Sequence, residues 1–299
     1  MDSKGDIKMQ YIDIKDYHDR EGISSSMLKK IMVSDAHLER MIDPNEPKPL
    51  PTKAMILGDA FHALLLQPDR FSENYDEVED LYKVNVGGHQ KGEPKTDSLG
   101  RPVFNYIHKT DGNLSIGVDD YYKLQAMKKA VYQCPEAMEL LNKAKYTEFS
   151  FFYKDLKVRP DFITSDDWIV DIKTVGGMND KPSAPDSFAR DFCDLYYDIQ
   201  MYMYTEIVKR ELPNIKGFKF LCVDVKIPSG VQIYTFIPNE SLWYELGGYR
   251  FRDALKRYRN YQKTTKHVTY PQADMGELPL SYNAEKQLLE YRDMEKSNV

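Results

Sequence analysis

The chain has 299 residues, 41% of them hydrophobic, and a formal net charge of −6. This length fits one large domain or two modest ones, and no run approaches the roughly 18 apolar residues that span a membrane. The negative charge disfavours a protein that holds DNA on a broadly basic surface, although an enzyme can concentrate its lysines and arginines in one channel.

The first segments alternate between extended and helical patterns. Residues 1–10 contain no apolar signal-peptide region, which predicts a cytoplasmic protein. Residues 11–22 predict a short strand or an extended arm. The serines at 24–26 precede an apolar-periodic run, which is typical of a helix start. The proline-rich residues 43–51 must form a loop.

A longer helix is predicted from Thr52 to Leu66, and Pro68 ends it. Its buried stripe comprises Met55, Leu57, Phe61, Leu64 and Leu65. Gly58 inside this helix costs about 1 kcal/mol relative to alanine, which indicates close packing or a nearby ligand. His62 follows one turn later, and a single histidine on a helix is more often structural than functional.

The middle of the chain is rich in glycine between residues 85 and 117, which predicts a loop region with one short strand at 103–107. Residues 118–132 and 136–145 predict two helices, so the chain up to residue 145 is mainly helical. Residues 146–153 alternate in hydrophobicity and predict a strand that carries Glu148. This carboxylate is either a solvated edge charge or a group near a metal site.

Residues 158–174 predict a β-hairpin, since two apolar runs flank the polar turn at 164–167. Asp171 and Lys173 share one face because strand side chains alternate. If Asp161 ends the partner strand, two carboxylates and an ammonium converge there. Two carboxylates at such short range repel each other unless a cation lies between them. This pattern predicts a Mg²⁺ or Mn²⁺ site, with the lysine placed to orient or deprotonate a water that attacks a phosphate.

A Pro-Asp pair followed by Asp-x-Lys resembles the signature of the PD-(D/E)xK nuclease superfamily. The resemblance implies an α/β fold with a restriction-endonuclease-like core, in which helices flank a central mixed β-sheet and N-terminal helices are added. One nuclease domain would span residues 1–299, with its catalytic core at 146–261. The three distant cysteines exclude the branch with a four-cysteine iron–sulfur cluster. The alternative to a nuclease signature is an ordinary hairpin with charged residues on its solvent-exposed face.

After the hairpin, residues 175–187 predict a long polar loop of the kind that often handles substrate. Residues 188–210 predict one strong helix. One face of it carries Tyr197, Gln200, Met201 and Tyr204. A buried amide needs partners, so Gln200 could point at a metal-bound water or a phosphate. Residues 217–225 and 231–236 predict two further strands.

Residues 239–261 predict a long amphipathic helix. Its basic residues are Arg250, Arg252, Lys256, Arg257 and Arg259. They form a solvated face, a DNA-facing wall or a subunit contact. Residues 262–299 are irregular, with a last helix predicted near 282–294.

Five features in sequence order resemble the catalytic domain of exodeoxyribonuclease VIII (RecE) and its phage relatives. They are the segments at 22–26, 58–62, 146–153, 159–174 and 197–204. The resemblance covers about residues 11–290. It implies a processive 5′→3′ exonuclease in the bacterial or phage-infected host cytoplasm. Such an enzyme digests linear double-stranded DNA and leaves a 3′ single strand for an annealing protein of the RecT type.

The same resemblance implies the ligands of a Mg²⁺ site, at which Mn²⁺ could substitute. Asp161, Asp171 and the main-chain carbonyl of Ile172 correspond to metal ligands, and His62 corresponds to the family's histidine at the metal. Related enzymes form closed rings around DNA, which implies a trimer or tetramer here. Enclosure would then replace a broadly basic surface.

Further catalytic roles follow from the resemblance. Lys173 would activate or position the attacking water, and Glu148 corresponds to the family's upstream glutamate. Gln200 and Tyr204 correspond to helix residues that close the site. Arg159 contacts a phosphate or braces the hairpin. Two other functions stay open: an endonuclease with the same site, and a catalytically silent scaffold that binds DNA or a partner.

Overall fold

The computed structural model describes residues 7–47, 50–79, 81–86, 89–96, 102, 104–109, 111–176 and 182–263. The described strands are β1 (Lys8–Tyr11), β2 (Tyr75–Glu79), β3 (Leu81–Val86), β4 (His89–Pro94), β5 (Phe104–His108), β6 (Ala144–Thr147), β7 (Phe149–Tyr153), β8 (Leu156–Val158), β9 (Phe162–Thr164), β10 (Trp168–Val175), β11 (Gly217–Asp224) and β12 (Val231–Phe236). The described α-helices are α1 (Ile14–Asp19), α2 (Ser25–Val33), α3 (Asp35–Ile42), α4 (Lys53–Leu66), α5 (Pro68–Asn74), α6 (Val118–Gln133), α7 (Pro135–Asn142), α8 (Pro185–Asp194), α9 (Tyr197–Glu211) and α10 (Leu242–Tyr261).

A five-stranded mixed sheet in the order β12-β11-β10-β9-β6 forms the centre of the fold. Strands β10 and β11 are parallel, and the crossover between them contains α8 and α9. The other neighbours in this sheet are antiparallel, including the β9–β10 hairpin. The predicted mixed α/β architecture is therefore confirmed.

Two hydrophobic clusters cover the two faces of this sheet. Side chains of β10 alternate between them: Ile169 belongs to the first cluster, and Val170 and Ile172 belong to the second. Helices α2, α8, α9 and α10 contribute to the first cluster, whereas α4, α6 and α7 contribute to the second. Asp171 and Lys173 therefore point to the face that α2 and α9 cover.

The N-terminal helix starts follow the sequence signals. The hydroxyls of Ser24 and Thr52 accept hydrogen bonds from backbone amides in the first turns of α2 and α4. A β-carbon at Gly58 would lie 3.2 Å from the hydroxyl of Thr174, which confirms close packing of α4 against β10. Met55 was predicted to be buried and is 62% exposed, because it lies on the outer side of the first turn of α4.

Other N-terminal expectations need correction. Residues 11–22 do not form only an extended arm, because Asp13 caps the short helix α1. Pro68 follows the end of α4 but also begins α5, where its missing amide costs nothing. The region 85–117 is not a plain loop: β3 pairs with β4, and β5 pairs with β2. The expected strand at 103–107 corresponds to β5.

The chain around Glu148 is not one continuous strand. Glu148 has a positive φ of 58°, and this left-handed residue separates β6 from β7. Strand β6 belongs to the central sheet, whereas β7 pairs with β1 and β8 in a second sheet. The predicted single strand over 146–153 is therefore wrong, and Glu148 lies at the corner between two sheets.

The predicted helix over 188–210 is also two helices. Tyr196 adopts a left-handed conformation with φ of 53°, so α8 and α9 cannot be continuous. The polar loop predicted over 175–187 overlaps two other elements, because β10 ends at Val175 and α8 begins at Pro185. Residues 177–181 lie outside the described residues. The helix predicted near 282–294 likewise lies outside the described residues.

The basic helix α10 is partly internal. Arg250 donates to the fully buried Asp198 of α9 at 2.9 Å. Arg257 pairs with Asp253 on the same helix, and both are about half exposed. Within the described part of the chain, none of the helices combines the length and apolar character that a membrane crossing requires.

Candidate metal centre

Asp161 is anchored by the hairpin that carries it. It follows Pro160 and lies just before β9, where its Oδ2 accepts a hydrogen bond of 2.6 Å from the backbone amide of Ile172. Its main-chain carbonyl accepts from the amide of Glu148 at 2.9 Å. The left-handed corner at Glu148 therefore turns that residue back toward Asp161.

His62 approaches the hairpin from α4. Its Nδ1 lies 3.4 Å from Oδ1 of Asp161, and its Nε2 lies 3.1 Å from the carbonyl oxygen of Ile172. Burial alone would lower the pKa of His62, but the charge and hydrogen bond of Asp161 raise it to about 9. The imidazolium in turn holds the pKa of Asp161 below its usual range, against the effect of burial.

Glu148 is fixed by a buried arginine. Arg159 is 8% exposed and donates from Nε to Oε2 of Glu148 at 2.6 Å. The same guanidinium donates to the carbonyl of Ile12 at 2.7 Å and lies 3.4 Å from the hydroxyl of Ser150. Burial and the nearby Asp161 charge raise the pKa of Glu148. Arg159 was predicted either to contact a phosphate or to brace the hairpin, and these contacts favour the bracing role.

Three side chains offer ligand atoms to one metal ion. His62, Glu148 and Asp161 each supply one atom, and these atoms all lie within 4.8 Å of one another. Two carboxylates and one imidazole, once the cation has displaced its proton, are donors that suit Mn²⁺ and, through the oxygens, Mg²⁺. The carbonyl of Ile172 lies beside this group through its contact with His62. The donor set therefore fits a divalent cation.

Asp171 is close by but is held differently, and it is not one of these three ligand residues. Its Oδ1 accepts a 2.6 Å hydrogen bond from the amide nitrogen of Gln200, and its Oδ2 pairs with the ammonium of Lys173. Burial raises the pKa of Asp171, and the charge of Asp161 raises it further. Although burial would lower the pKa of Lys173, the Asp171 charge raises it above its usual range.

Helix α9 closes this side of the site. Gln200 is 7% exposed, and its amide connects Asp171 to Lys29 of α2, whose ammonium donates to Oε1 at 2.8 Å. Tyr204 lies one turn further along α9 and is buried, which raises its pKa well above the usual value. The structure thus places Gln200 at Asp171, with Tyr204 buried one turn further along the helix.

Sequence reasoning missed Lys29. No local pattern distinguishes it from its neighbour Lys30, and it meets Gln200 across 171 positions of the chain. Lys29 and Lys173 both lie against the ring of Tyr197, at 4.7 and 4.9 Å from its centroid.

A mixed sheet that presents Pro160-Asp161 and Asp171-x-Lys173 on neighbouring segments defines a protein of the PD-(D/E)xK class. Residues 24–273 match the family described as "PDDEXK-like domain of unknown function (DUF3799)", and the chain belongs to this family. The family and the fold support a nuclease with a restriction-endonuclease-like core.

A solved structure shares this fold. A crystal structure from Eubacterium rectale, described as a "Putative exonuclease", has a TM-score of 0.58 and 12% sequence identity, over 91% of this chain and 97% of that one. A second structure, SSO0001, has 14% identity over 82% of this chain and 83% of that one, but its TM-score of 0.32 supports no argument. No curated protein matches the chain.

Proposed function

We propose that this protein is a Mg²⁺-dependent 5′→3′ exonuclease that digests linear double-stranded DNA and leaves 3′ single-stranded overhangs for recombination by strand annealing. The observation that carries the nuclease chemistry is the convergence of Asp161, Asp171 and Lys173 beside His62 and Glu148. The direction of digestion and the duplex substrate rest on the resemblance to RecE.

His62, Glu148 and Asp161 would hold a divalent ion, with Asp171 and the Ile172 carbonyl beside them. A bound Mg²⁺ or Mn²⁺ supplies Lewis-acid polarisation of a phosphate oxygen and a lowered pKa for water. The 3.1 Å hydrogen bond between Nε2 of His62 and the carbonyl oxygen of Ile172 would break if either of these two atoms bound the metal.

The chain's own residues then orient the reactants. Lys173 is positively charged and can hold a water or the scissile phosphate by hydrogen bonds while it neutralises Asp171. Gln200 keeps one oxygen of Asp171 fixed. Arg159 holds the carboxylate of Glu148 toward the ligand group, because its guanidinium is itself anchored to the backbone of Ile12.

The proposal includes an assembly. The net charge of −6 gives no broad basic surface for retaining DNA, so a ring-shaped trimer or tetramer that encloses the duplex would account for processivity. A single-strand annealing protein of the RecT type would take the 3′ strand, in the cytoplasm of a bacterium or of a phage-infected host.

Time-resolved digestion tests this function directly. Linear duplexes labelled at the 5′ or the 3′ end, and a covalently closed circle, are incubated with and without Mg²⁺. We expect Mg²⁺-dependent release of the 5′ label first and an intact closed circle. Early release of the 3′ label would overturn the direction, cleavage of the circle would indicate an endonuclease, and no cleavage with either Mg²⁺ or Mn²⁺ would indicate a binding scaffold.

A further inference from the structure

A closed circuit of contacts joins two lysines on the Asp171 side of the site. Lys29 donates to Oε1 of Gln200 at 2.8 Å, and Nε2 of Gln200 donates to Oδ1 of Asp171 at 2.6 Å. Oδ2 of Asp171 pairs with Lys173, and the ring of Tyr197 contacts both ammonium groups. Three separate elements, α2, α9 and β10, meet in this circuit.

The orientation of a glutamine amide depends on its partners, because its oxygen and nitrogen ends have nearly the same shape. An ionised carboxylate such as Asp171 can only accept, so it requires the nitrogen end. The oxygen end of Gln200 then faces α2, where it needs a donor because the side chain is 7% exposed. Lys29 is the donor that the structure supplies there.

Resting on the proposed function, we propose that Lys29 is a positioning residue of the nuclease: by holding Oε1 of Gln200, it keeps Nε2 on Asp171 and so fixes the direction of that carboxylate. Lys29 acts through Gln200 and does not itself touch the His62–Glu148–Asp161 group. Outer partners of this kind typically contribute 10–100-fold to metal affinity or activity.

A matched pair of variants separates this role from general effects of charge. Lys29→Met keeps an unbranched side chain that is one atom shorter and removes the donor. Lys30→Met makes the same change at the neighbouring exposed lysine of α2. We expect Lys29→Met to lower kcat by about 10–100-fold with a smaller change in KM. We expect Lys30→Met to stay within about twofold of the parent, and Lys29→Arg, which keeps a donor, to recover part of the rate.

A double-mutant cycle tests whether Lys29 works through Gln200. In a Gln200→Leu background, Lys29→Met should lower kcat no further than about twofold, because the link is already broken. If the two losses multiply, Lys29 acts on the substrate directly and the proposal is wrong.

A measurement without DNA keeps this proposal separate from the nuclease proposal. With glutamine side-chain amides labelled by ¹⁵N, the Gln200 signal is assigned by its disappearance in Gln200→Leu. In Lys29→Met this signal should move toward the position of a free amide, and in Lys30→Met it should not move. An unchanged signal in Lys29→Met would overturn the positioning role, whether or not the parent protein cleaves DNA.

Discussion

The two carboxylates of the hairpin, Asp161 and Asp171, lie close together but are stabilised in opposite ways. Burial raises the pKa of both. At Asp161 the charge and hydrogen bond of His62, with the amide of Ile172, reverse this effect, and the pKa is lowered. At Asp171 burial and the charge of Asp161 outweigh the ammonium of Lys173, and the pKa is raised.

This difference separates two tasks within one site. The Asp161 side carries groups that can become metal ligands, since His62 and Glu148 lie within reach of the same point. The Asp171 side is filled by donors: an amide from α9 and an ammonium from β10. We infer that Asp161 defines where a cation binds, whereas Gln200 and Lys173 fix the position of Asp171.

Removal of Asp161 should have the largest effect. Asp161→Asn loses the charge that pairs with His62, so cleavage should fall about 10³-fold or more, because a bound metal ion supplies several kcal/mol and each 1.4 kcal/mol is tenfold in rate. Calorimetry should show that Mn²⁺ binding is lost as well. Asp167→Asn, in the turn of the same hairpin, is the matched control and should keep both properties. Mn²⁺ binding by Asp161→Asn with parental affinity would disprove the division of tasks.

Lys173→Met should separate cleavage from metal binding. Cleavage should fall about 100-fold or more, as for loss of a positioned proton-transfer or charge-stabilising group. Mn²⁺ affinity should be kept or increased, because a positive charge leaves the site. Lys216→Met, at an exposed lysine before β11, serves as the control. If Lys173→Met digests linear duplex at the parental rate, the role assigned to this lysine is wrong.

A substitution of Arg159 tests the Asp161 side without replacing any carboxylate. Arg159→Met leaves Glu148, whose side chain is 16% exposed, beside Asp161 without its partner. Activity should therefore fall about 10–100-fold and the free energy of unfolding by about 3 kcal/mol. Denaturant titration and cleavage assays measure the two effects. Arg210→Met, an exposed arginine that packs on the ring of Tyr153, should cost less than about 1 kcal/mol. Equal losses in the two variants would show that the ion pair with Glu148 has no special importance.

Features that depend on local sequence pattern could be predicted, whereas breaks in the chain direction could not. The β9–β10 hairpin depends on alternation within 17 neighbouring positions, and local periodicity predicted it together with the shared face of Asp171 and Lys173. The corner at Glu148 and the break at Tyr196 depend on left-handed residues. Neither a glutamate nor a tyrosine signals such a conformation, since glycine and asparagine are its usual carriers.

Long-range partners were harder still to predict. Gln200 was noticed as a buried amide on one helix face, and His62 was assigned to the metal only by a family resemblance. Nothing near either residue shows that the chain brings it to the hairpin. Lys29 had no such support, and its contact with Gln200 depends on how α2 packs against α9. Arg159 was left between two roles, and its contacts with Glu148 and Ile12 could not be predicted from local sequence.

The smallest effect concerns pH and the metal-free protein. The pKa of His62 is about 9 in the folded chain and about 6.5 when unfolded, so its contribution to stability is fully present below pH 6.5 and is lost as pH rises through 9. Between pH 7 and pH 9, in the presence of EDTA, the parent should lose about 2 kcal/mol more than His62→Gln, since one pKa unit corresponds to about 1.4 kcal/mol. Urea titrations at both pH values measure this difference. A His62→Gln variant that loses as much stability as the parent would show that the imidazolium does not hold Asp161, and the contrast between the two carboxylates would then need another cause.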